Sequence, residues 1–546
     1  MISSKQGRSP DKKSLIVGSV LVVLIIVGMV LRQRSTSLRN RQAGSRSGEV
    51  YSSDTRNLPE AQDMETVILK NGDNFTMEAK PVRKIIKGEN VRLLSYNGSI
   101  PGPLIKVPQG AEIILTLKNE TDADTTLHSH GIRLENRFDG VPEVTQEPVK
   151  PGKSFTYKLK FPDAGVYWYH PHFREDYAQE LGLYGNFLVI PEASDYWAEV
   201  DREEAIFIDD MLLENGQIAA FNRSTVDHTL MGRFGNTMLV NGSDAYRLSV
   251  NQGERVRFYI TNAANTRVFN LSLPGARLKL VGGDNGKVEQ EEWVESVVIG
   301  PSERAVLEVW FDEEGEYLLT HKTPERTVAL GTVVVQPGQV TTSYFLVPRR
   351  NDDLINSLSR LRPLFEKVPD KNIVLTIQMG TAGVQSGQAG GDHGVHMMED
   401  GQMMQNSQMS MGAVQKIEWE DDMGMMNAQS TTDTLEWKII DALTKKENMD
   451  IVWQFNRGDV VKIKIVNDDT SMHPMQHPMH IPGQRFLVIS TNGQANPNLG
   501  WKDTALIQTG DTVELLVQMD NPGRWLIHCH IPEHMEAGMQ AVFQVN

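Results

Sequence analysis

Four short clusters of histidine are the residues in this sequence best suited to chemistry. They hold nine of the 14 histidines: His128/His130, His170/His172, His477/His480 and His528/His530/His534. In a strand, residues i and i+2 project on the same face and residue i+1 projects on the other. One such pair can be a satisfied polar group at a strand end, whereas four clusters together favour a metal centre.

Cys529 is the single cysteine of the chain, and it lies between two of these histidines. The alternation of a strand should turn Cys529 away from the face shared by His528 and His530. Its thiolate belongs to a His2Cys set with a weak thioether: His477, Cys529, His534 and Met539. Such sets are typical of blue-copper electron-transfer sites, whereas zinc more naturally takes closed Cys/His sites or keeps a water position open. Because Cys529 is covalently joined to both flanking histidines, an electron arriving at its sulfur has a short route to the histidine clusters.

The elements that must position these residues occur three times along the chain. A glycine, an alternating apolar run and a closing asparagine recur with the same spacing at Gly110–Asn119, Gly253–Asn262 and Gly458–Asn467. A later pattern places three residues at equivalent positions: His170, Thr320 and His528. Short alternating strands separated by Gly, Pro, Asn and Asp turns predict antiparallel β-sandwiches rather than α/β units.

We therefore predict an all-β chain of three consecutive sandwiches, called here the first repeat (62–192), the second repeat (196–346) and the third repeat (371–546). The first and third repeats carry histidine at equivalent positions, and the second has lost it. The histidines of the first repeat can face those of the third across an interface. Pro171 stands where the third repeat has Cys529, so one thiolate centre is expected.

The composition excludes several classes of protein. A net charge of −16 argues against nucleic acid as a partner. Hydrophobic residues make up 40% of the chain, which is enough for ordinary cores and excludes wholesale disorder. A single cysteine excludes a disulfide framework and any Cys-rich zinc or iron–sulfur site.

Residues 1–34 predict a membrane anchor or signal. Leu15–Leu31 is a continuous run of apolar and small residues with basic residues on both sides, at the lower length limit for a transmembrane helix. No small-x-small cleavage site follows it, so we expect an uncleaved transmembrane helix, with 35–61 as a tether. The alternative is a signal sequence cut at an unrecognised site. Both readings export the rest of the chain, so a membrane-anchored, extracytoplasmic protein at the cell surface is expected.

Residues 60–546 resemble the multicopper oxidase family, in particular its three-domain, laccase-like members. The motifs that carry the resemblance are HSHG at 128–131, WYHPH at 168–172, HPMH at 477–480 and HCHIPEHMEAGM at 528–539. The resemblance implies three consecutive cupredoxin-like Greek-key sandwiches. It also implies copper as cofactor, with up to four ions per chain.

The family pattern further implies a role for each candidate ligand. His477, Cys529 and His534 would hold a type 1 copper, with Met539 as axial ligand. His128 and His480 would hold a type 2 copper, His130, His170 and His530 one type 3 copper, and His172 and His528 the other. The implied reaction is four one-electron oxidations of a small reductant, such as Cu(I) or a phenol, coupled to reduction of O2 to water. Electrons would enter near His477 and pass through Cys529 to His528 and His530.

Pro482 departs from the family pattern. The third cluster of the family reads HPxHxH, whereas this chain reads HPMHIPG, with Pro482 in place of the last histidine. Proline has no metal-binding side-chain atom, so the second type 3 copper would keep only His172 and His528. The alternative function is therefore a copper-binding or electron-transfer protein with an impaired trinuclear site. A copper nitrite reductase is disfavoured by the third sandwich and by the His-Cys-His run.

Asp139 is the candidate for proton supply. It matches an acidic position that in the family hydrogen-bonds near the trinuclear centre, where a carboxylate can relay a proton. The alternative is an ordinary turn residue, since Gly140 follows it. Many relatives have another carboxylate directly after the HCHxxxH histidine, where this chain has Met535. Glu533 and Glu536 flank that position, and neither is assigned a role.

A methionine-rich insertion spans about 380–430. Ten of the 24 methionines lie between Met379 and Met426 without the periodicity of a core stripe. Thioethers are soft ligands that prefer Cu(I), so the segment could gather Cu(I) near the type 1 site, as in family members with cuprous oxidase activity. The alternative is a solvent-exposed insertion with no fixed role.

Overall fold

The computed structural model describes residues 50–338, 340, 347–380 and 415–546. The predicted membrane anchor at 1–34, much of the tether and residues 381–414 of the methionine-rich insertion lie outside the described residues. Within the described ranges, no helix has the length and apolar character needed to cross a membrane.

Contacts divide the chain into two units. The smaller unit comprises Met1–Tyr51 and Asn222–Thr225. Among its described residues, Val50 forms an isolated antiparallel bridge with Asn222. The larger unit comprises Ser52–Phe221 and Val226–Asn546, and it contains all the elements and sites described below.

The first repeat contains strands β1 (Thr66–Ile68), β2 (Asn74–Ile86), β3 (Glu89–Tyr96), β4 (Leu104–Pro108), β5 (Glu112–Asn119), β6 (His128–Ser129), β7 (Ser154–Lys160), β8 (Gly165–His170) and β9 (Gly185–Ile190). They pair into a sheet of order β3-β2-β5-β7 and a sheet of order β1-β4-β9-β8-β6. Apolar residues alternate along β5, so that Ile113, Leu115 and Leu117 are buried between the sheets.

The second repeat contains strands β10 (Arg202–Met211), β11 (Leu213–Glu214), β12 (Gln217–Ile218), β13 (Thr237–Val240), β14 (Tyr246–Asn251), β15 (Arg255–Asn262), β16 (Phe269–Ser272), β17 (Arg277–Gly283), β18 (Gly286–Val294), β19 (Val297–Ile299), β20 (Arg304–Trp310), β21 (Gly315–Lys322) and β22 (Thr327–Gln336). The large sheets have the orders β13-β10-β15-β20-β17-β18 and β14-β22-β21-β16-β19, and β11 pairs with β12. Phe258 and Val309 from one sheet meet Phe269 and Val333 from the other in a shared core.

The third repeat contains strands β23 (Lys371–Met379), β24 (Leu435–Asp441), β25 (Val452–Phe455), β26 (Asp459–Asn467), β27 (His477–His480), β28 (Arg485–Thr491), β29 (Gln494–Ala495), β30 (Thr504–Ile507), β31 (Thr512–Met519), β32 (Gly523–Cys529) and β33 (Gln540–Val545). The sheets have the orders β24-β23-β26-β31-β28-β29 and β25-β33-β32-β27-β30. In all three repeats each sheet stays within one repeat, while the repeat boundaries themselves stay a prediction.

The chain is mostly β, as predicted, but its sheets are mixed rather than antiparallel throughout. In each repeat a long strand lies parallel to the strand of the Gly–Asn pattern: β2 with β5, β10 with β15, and β23 with β26. Parallel neighbours cannot be joined by a tight hairpin, so the chain must cross over before it returns to the same sheet. Apolar alternation reports which face of a strand is buried and carries no information about the direction of its neighbour.

The repeated glycine and asparagine each have a structural reason. The glycines Gly110, Gly253 and Gly458 have φ values of 80°, 82° and 90°, in the left-handed region that favours glycine. The asparagines that close the pattern are buried, and each side-chain amide donates hydrogen bonds to two backbone carbonyls. In the third repeat, Asn467 donates to the carbonyl of Met475 and so fastens the loop that leads into β27.

The helices are short and connect the strands. They are α1 (Glu175–Ala178), α2 (Asp352–Leu358), α3 (Gly424–Gln429) and α4 (Pro532–Glu536), with 3-10 turns at Asn136–Phe138, Arg362–Leu364 and Asn448–Asp450. Helix α1 follows the second histidine cluster, and α4 carries His534. These two helices contact each other, which brings the first and third repeats together beside the histidine strands.

Candidate metal centres

Two antiparallel strand pairs place the histidines at the contact between the first and third repeats. In the first repeat, β6 lies beside β8 with His128 opposite His170. In the third, β27 lies beside β32 with His480 opposite His528 and Met479 opposite Cys529. The first two histidine clusters, His480 and the His-Cys-His run therefore meet, as the matching positions in the repeats predict.

One group of three histidines draws on both repeats. The Nε2 atoms of His130 and His170 are 2.9 Å apart, and His530 Nε2 lies 3.0 Å from His130 Nε2 and 3.2 Å from His170 Nε2. All three side chains are buried. The group contains the same residues that the family pattern assigns to one type 3 copper.

A neighbouring group shares one of these residues. His128 Nε2 lies 3.4 Å from His480 Nε2, and the ring planes of His130 and His480 are stacked with centroids 3.9 Å apart. The candidate ligand atoms of His128, His130 and His480 all lie within 4.8 Å of one another. This arrangement brings together the two histidines expected at a type 2 copper.

The remaining pair is His172 and His528, whose Nε2 atoms are 3.4 Å apart. Among the described residues this pair belongs to no group of three His, Cys, Asp or Glu ligands. Pro482 is buried two residues beyond His480, at the position where the family pattern has a histidine. His473, the nearest other histidine in sequence, is in no such group either.

The hydrogen bonds of the rings favour a metal ion between the Nε2 atoms. The Nδ1 atoms of four cluster histidines each lie within hydrogen-bond distance of a backbone carbonyl oxygen, at 2.6–2.9 Å: His128, His170, His480 and His528. A carbonyl oxygen only accepts, so each Nδ1 carries the proton and each Nε2 keeps its lone pair. When both rings are neutral, the Nε2 lone pairs of His128 and His480 face each other at 3.4 Å. A bound metal ion removes this repulsion, so the residues fit copper ligation.

Burial keeps most of the cluster rings neutral. The pKa lies well below the usual value for His130, His170, His172, His480 and His530. The main cause is loss of water around a charged ring, and neighbouring imidazoles add repulsion. The pKa of His528 falls to about 3, again chiefly because it is buried. Neutral imidazole is the form that binds a metal.

The Cys529 set lies on the other side of β32. Cys529 Sγ is 3.6 Å from His477 Nδ1 and 4.0 Å from His534 Nδ1, and these two nitrogens are 3.4 Å apart. All three side chains are fully buried. Burial raises the pKa of the Cys529 thiol, so metal binding must displace its proton.

The loop after Cys529 is held by its own backbone. The N–H of Cys529 donates to the carbonyl of Met539, and the N–H of Met539 donates to the carbonyl of His534, both at 3.0 Å. Trp437 stacks on the ring of His534 with centroids 4.1 Å apart. Met539 is fully buried beside this set, which is compatible with the axial role implied for it.

Asp139 lies at the cluster, as predicted. Its carbonyl accepts from His128 Nδ1 at 2.6 Å, and its carboxylate Oδ1 is 3.4 Å from the same nitrogen. Burial by itself lowers the pKa of His128, but the charge and hydrogen bonds of Asp139, together with the charge of Asp503, raise it overall. Asp139 therefore contacts a cluster histidine, and its role in proton supply stays a prediction.

Two further carboxylates at the cluster were missed from the sequence. Asp503 Oδ1 lies 3.4 Å from His130 Nδ1, and Glu175 Oε1 lies 3.1 Å from His172 Nδ1. Both carboxylates are fully buried. Glu175 follows His172 by three residues in the chain, a spacing that could have signalled the contact. Asp503 follows His130 by 373 residues, and no local pattern reveals it.

The described end of the methionine-rich insertion packs against the second repeat. Arg267 of the second repeat donates to the carbonyl of Trp419, and Asn427 donates to the carbonyl of Gly232. Helix α3 then presents Met425 and Met426 with 76% and 52% of their surface exposed. Accessible thioethers are thus present in this segment.

Comparisons with known proteins agree on one family. Three family models, each described as multicopper oxidase, match residues 79–194, 190–348 and 419–546. Multicopper oxidase MmcO of Mycobacterium tuberculosis is 27% identical over 500 residues, covering 85% of each chain. Laccase-3 of Arabidopsis thaliana is 24% identical and covers 86% of this chain and 91% of its own. The copper resistance protein A homolog of Pseudomonas syringae pv. tomato is 24% identical, with 86% and 92% covered.

Solved structures share the fold. A multi-copper oxidase from Pseudomonas thermotolerans matches with a TM-score of 0.64 and 23% identity, over 88% of this chain and all of that one. The Campylobacter jejuni multicopper oxidase, described as a metallo-oxidase, matches with a TM-score of 0.64 and 24% identity, over 91% and 99%. At these identities the likeness concerns the fold alone.

Proposed function

Because the chain belongs to the multicopper oxidase family, whose members are copper-dependent oxidoreductases, we propose that it oxidises Cu(I) or phenolic reductants and reduces O2 to water. One-electron oxidation would occur at the Cys529 set. Reduction of O2 would occur at the histidine cluster between the first and third repeats.

The observation that carries this proposal is the arrangement of two donor sets on opposite sides of one strand. Cys529 meets His477 and His534 on one side of β32. Its neighbours His528 and His530 belong to the histidine cluster on the other side. Copper at these sets supplies one-electron chemistry. Cys529 is covalently bonded to His528 and His530, so the backbone joins the two donor sets directly.

The residues around the cluster orient its rings, exclude bulk water and place a carboxylate beside it. Backbone carbonyls hold the Nδ1 protons of His170 and His528, which fixes both rings with the Nε2 lone pair turned inward. Burial excludes bulk water and keeps the imidazoles neutral. Asp139 places a carboxylate at His128, where it can take up or release protons that O2 reduction requires.

The proposal of Cu(I) as a substrate rests on the methionine-rich insertion. Met425 and Met426 offer exposed thioethers, which are soft ligands that favour Cu(I). The relatives include a protein named laccase and one named copper resistance protein A homolog. We propose Cu(I) as a substrate together with simple phenols.

A second candidate function follows from Pro482. The pair His172 and His528 has no third candidate ligand among the described residues, so the metal there would be held by two imidazoles. A copper-binding or electron-transfer protein with an impaired cluster would have the same Cys529 set. It would bind fewer coppers and would not reduce O2.

Oxygen uptake by the copper-loaded protein tests these functions against each other. Cu(I) and a simple phenol serve as alternative reductants, and copper per chain is measured in parallel. Uptake with either reductant and four coppers per chain support the oxidase. A blue protein that binds one or two coppers and consumes no O2 supports the second candidate.

Pro482→His isolates the effect of the missing ligand. If Pro482 limits the cluster, this variant gains copper or a faster rate of oxygen uptake than the wild type. If neither changes while the blue absorption is retained, Pro482 is not a reason to doubt O2 reduction. Pro482→Leu, which removes the proline ring without adding a ligand, is the matched control.

We also propose that the chain is membrane-anchored and acts outside the cytoplasm. The support is the apolar run Leu15–Leu31 in the sequence. Recovery of the full chain in the membrane fraction, and release on deletion of 1–34, would agree with an anchor. Recovery of a shortened chain in the soluble exported fraction would instead indicate a cleaved signal.

A further inference from the structure

The second repeat supplies none of the candidate copper ligands, yet one of its side chains reaches the histidine cluster. Arg304 is the first residue of β20, and its side chain is fully buried. Its guanidinium Nη1 donates to Asp503 Oδ1 at 2.8 Å, and Nη2 donates to Asp503 Oδ2. A two-point contact of this kind fixes the carboxylate in orientation as well as in position.

Asp503 in turn contacts two histidines of the cluster. Its carboxylate Oδ1 lies 3.4 Å from His130 Nδ1. Its carbonyl oxygen accepts from His480 Nδ1 at 2.8 Å. Thr504 Oγ1 donates to the same carboxylate at 2.9 Å, which further restricts it. Asp503 therefore sets the ring orientation of one histidine from each of two neighbouring copper positions.

Arg304 is itself anchored to all three repeats. Its Nε donates to the carbonyl of Val166 on β8, the strand that ends at His170. Its Nη1 also donates to the carbonyl of Ser302, and its backbone N–H donates to Asp284 Oδ1 at 2.8 Å. This set of contacts leaves the guanidinium little freedom to move. Any displacement of Arg304 therefore moves the Asp503 carboxylate.

We propose that Arg304 is a positioning residue for the histidine cluster, through which the second repeat controls copper binding between the first and third. Arg304 holds Asp503, and Asp503 holds His130 and His480 with their Nε2 atoms facing the metal. This inference rests on the proposed function only in taking the cluster as a copper site. Groups that orient metal-binding histidines are general determinants of metal affinity.

Copper binding by Arg304→Met tests the proposal, with Arg257→Met as the matched control. Arg257 is also a buried arginine of the second repeat, 3% exposed, and its Nη2 donates to Glu308 Oε1 at 2.8 Å. It contacts no copper ligand in the described structure. Both variants lose a buried ion pair, so a general loss of stability should affect them alike.

We expect Arg304→Met to weaken copper binding at the cluster by about 10–100-fold, the range seen when partners of metal-binding histidines are removed. The readouts are copper per chain at limiting free copper and the type 2 copper signal in electron paramagnetic resonance. The blue absorption of the Cys529 set should be retained. Arg257→Met should keep the full copper content even if its unfolding midpoint falls equally.

Arg304→Lys keeps the proposal testable if the methionine variant does not fold. Lysine keeps the charge but lacks the planar fork that holds both carboxylate oxygens. We expect intermediate copper affinity and an altered type 2 signal. Wild-type affinity with an unaltered signal in either Arg304 variant would overturn the proposal, and so would an equal loss of cluster copper in Arg257→Met. Wild-type protein that binds cluster copper but consumes no O2 would refute the proposed function and leave this test valid.

Discussion

Gly131 provides a strict test of how tightly the histidine cluster is packed. It follows His130 and has a φ of 69°, in the left-handed region where a side chain is strained. A Cβ atom added there would lie 2.5 Å from Asn285 Oδ1, 2.5 Å from Asp503 Oδ2 and 2.7 Å from Tyr167 Cδ1. Contacts this short cannot persist, so a neighbour must move, and moving Asp503 strains its hydrogen bonds to Arg304. Gly131→Ala should therefore push Asp503 away from His130.

The cost of Gly131→Ala has two parts. The left-handed backbone costs about 1–2 kcal/mol for a residue with a side chain. Displacing well-packed neighbours costs about 1–3 kcal/mol more. Together these give a loss of about 2–5 kcal/mol in the free energy of unfolding. The shift of Asp503 should also lower copper affinity at the cluster.

Gly110→Ala separates the backbone cost from the packing cost. Gly110 has a φ of 80° but no atom within 4 Å of an added Cβ. This variant should lose only the backbone part, about 1–2 kcal/mol, and keep all its copper. The assay compares denaturant midpoints of the copper-free proteins, followed by copper per chain after loading. Equal loss of stability in both variants, with full copper in Gly131→Ala, would refute the packing argument.

Three further predictions concern single side chains. Cys529→Ser should lose the blue absorption and all oxygen uptake, since a hydroxyl does not replace the thiolate. Oxygen uptake at the wild-type rate would refute the assignment of Cys529 as a copper ligand. Glu175→Leu should weaken copper binding at the His172/His528 pair by about 10-fold or more, measured as copper per chain, because the side-chain oxygen 3.1 Å from His172 Nδ1 is lost. An unchanged copper content would contradict this. Burial lowers the pKa of His321 to about 4 from 6.5. Between these pH values the unfolded chain binds a proton that the folded chain does not, so stability falls as the pH falls. At pH 5 the copper-free His321→Gln variant should keep about 2 kcal/mol of unfolding free energy that the wild type loses, and above about pH 7 this difference should vanish. Denaturant midpoints measure it. An identical pH dependence in both proteins would refute the prediction.

The sequence revealed most of the fold through repetition. The Gly–Asn pattern recurs because each copy needs a left-handed turn residue and a buried amide that fastens a loop, as at Gly458 and Asn467. Both are local requirements, so they leave a local signature. Strand direction leaves none, which is why the parallel pairing of β23 with β26 was not foreseen.

The sequence by itself also determined the chemistry of the sites. Cys529 and the histidine clusters reveal copper because residue type and spacing along one strand decide which donors face the same way. Only the tertiary structure decided what holds those donors. Asp503 meets His130 across 373 residues, and Arg304 meets Asp503 across 199. Such contacts depend on how three folded repeats pack together, and packing between distant segments leaves no periodic pattern in any one of them.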